Sequence, residues 1–585
     1  MKYQIKFRSK MKGFALIEIL LAVILLGIVS GLIFGTLINL NKSFLNSKLI
    51  SQLYRIMQNE IERIKVMNYE NIGIQGGFPP GNLPAEKIVS VNNVNFRLKF
   101  FVRNIDDPRD GTVTSTPRDS APADYKLIEI EGECLNCFYK FNKQSLTTII
   151  APKALEVSTN NGSLFVKVID AYGMPVANAD IKVTFISSSP FVVNDKSSVD
   201  GVLPLVDVPP GLNAYAVTTT KDGYSVDQTY SPNDITNPIL PHQTVASNQL
   251  TELTLQIDRL SNTNFYFSDK LCGTSSANLP FRLRGDKLIA RNPDVIKTDI
   301  VTTTDNFGYK NLNLEWDSYK FDLGTSNYII RGANFDWLNK IAINPGGNYV
   351  FKSGLADNLP NNLIIKVVDQ NQNPLNKATV TLTQNSITMI NFTGGDYIFN
   401  NNWLNNFSAI SSGIDINASG KITLKNLGNG YSTATEWLIS NTIDFGTTSV
   451  NYHIFMWDGT MPPGTVIKYQ IAANNDNATW NFIGPDGSEN SYFYDSMFVM
   501  PNTFNSQRYF RYKIFLQTTD PNVAPLVNEI KIYFDSLCLL DGYALFQNLA
   551  NGTYNLQVEK SGYQIYNQNI DVDSNYKIIN VILYP

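Results

Sequence analysis

A chain of 585 residues is too long for one hydrophobic core; at roughly 100–200 residues per domain it should hold three to five. Hydrophobic residues at 43% and charged residues at 17% lie near the globular norm and exclude whole-chain disorder. Lysine plus arginine (47) nearly cancels aspartate plus glutamate (51), which excludes a nucleic-acid binder working through bulk charge.

Residues 1–12 carry Lys2, Lys6, Arg8, Lys10 and Lys12 and no acid. Gly13, Phe14 and a lone Glu18 follow, and then an uncharged run of 22 residues from Ile19 to Leu40. About 20 apolar residues cross a bilayer as a helix. The basic leader should stay cytoplasmic, with the chain after Leu40 outside. A secretory signal fits poorly, because the run is too long, lacks a small-x-small cleavage pattern and is interrupted by a carboxylate.

A carboxylate within hydrocarbon is costly and marks function. Lys12-Gly13, then Phe14 at the first and Glu18 at the fifth mature position, resembles the type IV prepilin leader. The resemblance implies that a prepilin peptidase removes residues 1–13 and that the new Phe14 amine is N-methylated. It also implies that Glu18 pairs with a neighbouring subunit's amine during filament assembly. Partners are then other pilin subunits, the peptidase and an inner-membrane assembly platform. Gly27, Gly31 and Gly35 line one helix face for close packing, or simply reflect how common glycine is in membrane helices. Neither Gly nor Pro occurs between Leu40 and Gly73, and Ile50, Leu53, Met57, Ile61 and Ile64 recur at helical steps. A helix over 14–67, about 80 Å long, is expected.

A small head over 68–152 should follow. Asn95 to Phe100 and Ile128 to Glu131 alternate as half-buried antiparallel strands, and Ser145 to Pro152 reads as a last strand. The pairing resembles the β-region of minor pilins and type II secretion pseudopilins. Asp106, Asp107 and Asp110 could bind Ca²⁺ but lack regular ligand spacing, so an Asx-rich turn is the better reading and no metal is expected.

The chain then repeats itself. Lys167-Val168-Ile169-Asp170, Pro175, Ala179 and Thr184 recur 199 residues later as Lys366-Val367-Val368-Asp369, Pro374, Ala378 and Thr383. Asp200-Gly201, Gly211, Tyr215, Lys221 and Gly223-Tyr224 recur as Asp541-Gly542, Gly552, Tyr554, Lys560 and Gly562-Tyr563. The two blocks are 15 residues apart in the first copy and 157 in the second, which suggests a domain threaded into a host loop. The repeat resembles the carboxypeptidase regulatory-like module, a transthyretin-like sandwich. That places one sandwich at 160–260 and a split one at 360–394 plus 536–585. A degenerate third is expected at 264–358. No peptidase activity is implied, because only His242 and His453 exist and no His-x-x-Glu supplies zinc. Asp369-x-Asn371-x-Asn373 starts like a Ca²⁺ loop, but Val380 stands where a glutamate is needed.

The inserted segment, 395–535, resembles the discoidin-like, galactose-binding-type jelly rolls of surface proteins. Its expected strands are Trp437 to Phe445, Val466 to Ala472, Tyr509 to Gln517 and Glu529 to Phe534, with a turn at Gly484 to Gly487. Trp457, Trp480, Phe482 and Tyr492 form a candidate sugar-stacking platform for surface glycans, or fill the core as large aromatics usually do. Four cysteines allow three pairings. Cys134 and Cys137 bracket a hairpin, leaving Cys272 with Cys538; a Cys₄ zinc site fits poorly, since one pair alone has ligand spacing.

The expected whole is multidomain and mainly β. A long N-terminal pilin helix, transmembrane at its start, carries a small antiparallel head, transthyretin- or Ig-like sandwiches and an inserted jelly roll. The expected function is a minor, tip-located pilin-like subunit of a bacterial envelope that presents modules for adhesion. Alternatives are a type II secretion pseudopilin or purely structural subunit, and an exported carbohydrate-active enzyme on a pilin anchor. No catalytic constellation or cofactor motif supports the last.

Overall fold

The computed structural model describes residues 16–137, 141–153, 159–187, 189–272, 277–573 and 576–585. These form two compact units: the residues up to Asp258 with Ile289–Val295, and Arg259–Leu288 with Ile296–Pro585.

The first unit begins with α1 (Leu16–Lys65), 50 residues of largely unbranched or membrane-compatible apolar side chains ending with Arg63 and Lys65 in its last turn. Cations there complement the helix dipole. Its C-terminal half buries Leu53, Met57, Ile61 and Ile64 against a four-stranded antiparallel meander. The strands are β1 (Glu86–Val91), β2 (Val94–Ile105), β3 (Tyr125–Cys134) and β4 (Gln144–Ile150), in that order. Strict alternation on β2 and β3 aims Phe96, Leu98, Phe100, Val102, Ile128 and Ile130 into this core. At about 1.5–3 kcal/mol per fully buried large side chain, the helix stripe is a main stabiliser of the head. Asn92 and Asn93, both at positive φ, make the two-residue β1–β2 turn. Gly132 lets the helix approach β3: a Cβ there would lie 2.5 Å from Leu53 Cδ1.

The first sandwich contains β5 (Gly162–Ile169), β6 (Asp180–Phe185), β7 (Phe191–Lys196), β8 (Val202–Val208), β9 (Gly211–Thr220), β10 (Asp227–Gln228), β11 (Gln243–Val245) and β12 (Leu250–Gln256). One sheet runs β12-β5-β8 and the other β10-β9-β6-β7 with β11 on β9. Head and sandwich are joined by Arg103, which donates to Asp195 at 2.5 Å and to Glu129 at 2.8 Å.

In the second unit, β13 (Ser261–Ser268) and β14 (Pro280–Gly285) open the next sandwich. A short hairpin, β15 (Leu288–Ala290) and β16 (Val295–Ile296), intervenes in the sequence. The sandwich continues with β17 (Asp299–Thr303), β18 (Tyr309–Leu314), β19 (Asp317–Leu323), β20 (Tyr328–Ala333), β21 (Lys340–Ile343) and β22 (Asn348–Asp357). Its sheets are β18-β13-β22-β20 and β17-β14-β19-β21. Next come β23 (Asn362–Asp369), β24 (Thr379–Gln384) and β25 (Ile387–Phe392); far along the chain, β37 (Tyr543–Phe546), β38 (Gly552–Glu559), β39 (Tyr566–Val572) and β40 (Tyr576–Leu583) complete the same sandwich. Its sheets are β37-β23-β40 and β25-β24-β38-β39.

The three sandwiches share one topology. The first strand (β5, β13, β23) pairs parallel with the last (β12, β22, β40) and antiparallel with the strand of the second block (β8, β18, β37). The middle copy adds β20 as an edge strand. The sequence repeat is reproduced in detail between the first and the split copies. Gly201 and Gly542 both sit at positive φ against the carbonyls of Val168 and Val367 and the rings of Pro175 and Pro374. Lys221 and Lys560 reach the carbonyls of Ala177 and Asn376.

Residues between β25 and β37 build a further two-sheet sandwich. Its strands are β26 (Gly395–Asn400), β27 (Ala409–Ile410), β28 (Ile414–Ile416), β29 (Ile422–Leu424), β30 (Glu436–Ile439), β31 (Ile443–Asp444), β32 (Val450–Thr460), β33 (Thr465–Asn474), β34 (Met497–Val499), β35 (Tyr509–Thr518) and β36 (Leu526–Ser536). One sheet runs β28-β29-β36-β32-β34 with β26 on β36, the other β27-β30-β35-β31 with β33 on β35. Gly395 pairs with Asp535, so entry and exit of this segment lie side by side. The strand expected over Trp437 to Phe445 is two: Ile439 opposes Lys513 while Ile443 opposes Phe510, one residue more than β35 offers, and the excess breaks the strand.

Candidate functional site

On α1 the apolar residues before Leu49 lie outside the head. Val23, Leu26, Leu32, Phe34 and Phe44 are each about two-thirds exposed or more, on every side of the helix. The helix is long and apolar enough to cross a membrane. A Cβ on Gly27, Gly31 or Gly35 would meet nothing within 4 Å, so the small-residue face is open. Gly13 and Phe14, the expected processing residues, lie outside the described residues, as does the Glu18 side chain; the Glu18 backbone is in the first turn of α1.

In the head, the carboxylates that converge are Asp106, Asp119 and Asp124, with ligand atoms all within 4.8 Å of one another. The sequence grouping differs: Asp107 turns its Oδ1 to the Arg109 amide, and Asp119 arrives from twelve residues downstream of it. Asp106 accepts from the Val113 amide through Oδ2, while its Oδ1 and Asp119 Oδ2 are buried without a partner. Burial raises the Asp106 pKa, the Val113 amide opposes this, and the charges of Asp119 and Asp110 add to it. Carboxylate oxygens suit a hard cation such as Ca²⁺, which takes six to eight of them, more than this cluster alone offers.

Disulfides join Cys134 to Cys137 beside β3 and Cys272 to Cys538 between the middle and split sandwiches. Asp369 spends Oδ1 on the amides of Asn371 and Asn373, an Asx turn. Its counterpart Asp170 does the same for Tyr172 and Met174. His242 Nδ1 meets Thr229 Oγ1 at 2.9 Å, and His453 Nε2 meets Asp535 at 2.8 Å. Burial lowers the His242 pKa.

The four aromatics of the expected platform do not share a surface. Trp457 packs in the core between the two sheets, 7% exposed, with Nε1 donating to the Asp495 carbonyl. It lies on β32, and a bulky ring at an inward position of an alternating strand has nowhere else to go. Trp480, Phe482 and Tyr492 are half-buried on the segment that runs along β33. The ring of Trp480 is covered by Arg511 at 4.3 Å and that of Tyr492 by Lys468 at 3.8 Å. Trp437, Lys468, Arg511 and Lys513, absent from the sequence reading of this site, complete that surface. The alternation Tyr509-x-Arg511-x-Lys513-x-Phe515 was the signal for it.

No family model and no curated protein matches the chain. Solved structures that align with it include the Bacillus anthracis TIE protein, 12% identical, covering 85% of this chain and 72% of that one, with a TM-score of 0.16. The major pilin subunit of Bacillus cereus is 10% identical over 55% of this chain and 99% of its own, TM-score 0.19. The shaft pilin SpaA from Lactobacillus rhamnosus GG is 9% identical over 34% and 100%, TM-score 0.14.

Proposed function

We propose that this chain is a minor, tip-located type IV pilin-like subunit that holds β-sandwich modules away from a bacterial cell surface for adhesion. One observation carries the reading. A single helix leaves its N-terminal half apolar and uncovered and buries the stripe Leu53 to Ile64 under a four-stranded antiparallel sheet. Uncovered apolar surface of that extent needs a covering phase, either lipid or packed copies of the same helix. The Gly13-Phe14 junction with Glu18 at the fifth position supports the second as the end state. Some 433 residues follow the head, which would crowd a shaft lattice of identical subunits and favours the tip.

The test is the mature N-terminus. Mass spectrometry of the envelope protein should find a chain beginning at methylated Phe14, and Gly13→Val should retain residues 1–13. Glu18→Leu should insert into membrane at least as well as the parent, having lost a charge, yet enter filaments poorly. Retention of residues 1–13 in the unaltered protein overturns the reading. Labelled protein imaged on whole cells then separates tip from shaft and from a buried secretion pseudopilus.

A further inference from the structure

The two sheets of the inserted sandwich treat charge differently on their outer faces. On the β36 sheet, Lys531 meets Glu529 at 2.7 Å and His453 meets Asp535 at 2.8 Å, and Lys377 of the split sandwich stands 3.8 Å from the same Asp535. On the β35 sheet the register places Trp437, Phe515 and Lys468 in one cross-strand row. Ile439, Lys513 and Gln470 form the next, and Arg511 and Ala472 stand in a third. With Tyr509, Asn474, Val466 and Gln517 these make up the outward positions of β30, β33 and β35, and none is acidic. Among the described residues Lys468, Arg511 and Lys513 have no ion-pair partner. Arg511 has instead a neutral bond to Thr442 Oγ1 at 2.8 Å. Arg508, at the end of the sheet, is paired with Asp444. In the loop along β33, Asp486 is held by Ser488 and Ser491.

Aromatic rings hold these cations without neutralising them. Lys513 Nζ lies 4.6 Å from the Trp437 centroid and 4.9 Å from Phe515, Lys468 Nζ 3.8 Å from Tyr492, and Arg511 Cζ 4.3 Å from Trp480. A cation–π contact fixes a cation's position and leaves its full charge. Burial with no acid to offset it lowers the pKa of both Arg511 and Lys513. Three like charges held on two adjacent strands repel one another; an anion laid across them relieves that repulsion. The same rings are occupied by the protein's own cations, so a neutral pyranose has few free faces to stack on.

We infer that the outer face of the β30–β35–β33 sheet binds an anionic polysaccharide, with Lys468, Arg511 and Lys513 pairing to successive carboxylate or sulfate groups and Trp437 and Tyr492 fixing their positions. A polymer is favoured over a small anion because the three cations stand in three successive cross-strand rows and do not converge on one point. This deepens the adhesion reading by naming what is bound. Binding is read on purified protein, so its failure leaves the processing test standing, and the reverse.

The test uses the full chain in detergent, with alginate oligosaccharides as the probe and neutral dextran and single-stranded oligo-dT alongside. Alginate should bind, with affinity falling as salt rises, and dextran should not. Lys468→Gln with Lys513→Gln should weaken alginate binding about tenfold or more, each exposed charge contact supplying a fewfold factor. Lys468→Arg with Lys513→Arg should retain it, which separates charge from a folding defect. Absence of alginate binding, equal binding of dextran, or unchanged binding by the Gln variant overturns the inference. Tighter binding of oligo-dT also overturns it, in favour of a stacking surface for nucleic acid.

Discussion

Two of the joints between modules within one unit carry an arginine paired with a buried aspartate. Arg103 of the head reaches Asp195 of the first sandwich, whose side chain is 4% exposed. In the second unit Arg331 on β20 donates to Asp396 on β26 at 2.5 Å, and Lys270 stands 3.7 Å from the same carboxylate. Burial opposes ionisation of Asp396, but the charges of Arg331 and Lys270 and the Arg331 hydrogen bond outweigh it and hold its pKa below the usual carboxylate value. Asp396→Asn leaves two cations facing a neutral group, and loss of one partner of a buried pair costs roughly 3–5 kcal/mol. Because the folded-state pKa is lowered, the pair's contribution is complete above the unfolded value of about 3.9 and fades as pH falls through the folded one. Thermal unfolding should therefore show a gap between parent and variant that is constant from pH 5 to 7 and closes below about pH 4. A gap that persists unchanged at pH 2 means that lost packing, not charge, is responsible.

Helix and sheet in the head approach each other closely at Gly132. The Gly132 position on β3 faces Leu53 Cδ1 at 2.5 Å and Met57 Sδ at 3.0 Å from an ideal Cβ, closer than side chains tolerate. Gly132→Val would push α1 off β3 and strain the stripe that Leu53 begins, at about 1–3 kcal/mol for overpacking. Hydrogen exchange should then accelerate in residues 50–65 of the helix and in β3 and β4, and remain as in the parent in β13 to β40. Uniform acceleration along the chain counts against a local contact. The three sandwiches make the complementary point: one strand order serves three sequences, and only two of them keep the recognisable Lys-Val-x-Asp and Gly-Tyr signatures. Topology outlasts the residues because alternation and turn positions are enough to specify it.

At the scale of the molecule a helix with its small head is followed along the chain by sandwich modules, one of which interrupts another. The strands β23 and β24 pair with β37, β38 and β40 from the far side of the insertion. The Gly395–Asp535 pairing brings the ends of the insertion to adjacent strand positions. Replacing residues 398–532 with Asn-Gly keeps Asp396 and closes β26 onto β36 as a two-residue hairpin, where loop closure costs little. The shortened chain should still form the Cys272–Cys538 disulfide and show cooperative unfolding of the split sandwich. It should lose alginate binding with it. A shortened chain that cannot form that disulfide means the insertion is integral to its host.

Charge run, spanning length, helical stripe and internal repeat are one-dimensional quantities, so the amino-acid order by itself determined the apolar helix, the mainly β character and the split repeat at 199 residues' offset. The arrival of Asp119 beside Asp106, thirteen positions away, and the inward placement of Trp457 depend on residues brought together across the chain. So does the acid-free face carrying Lys468, Arg511 and Lys513, since net charge near zero conceals a local excess. Strand register and the packing of one sheet on another decide such neighbours, and neither can be read from local periodicity, which says which face a residue takes but not what it faces.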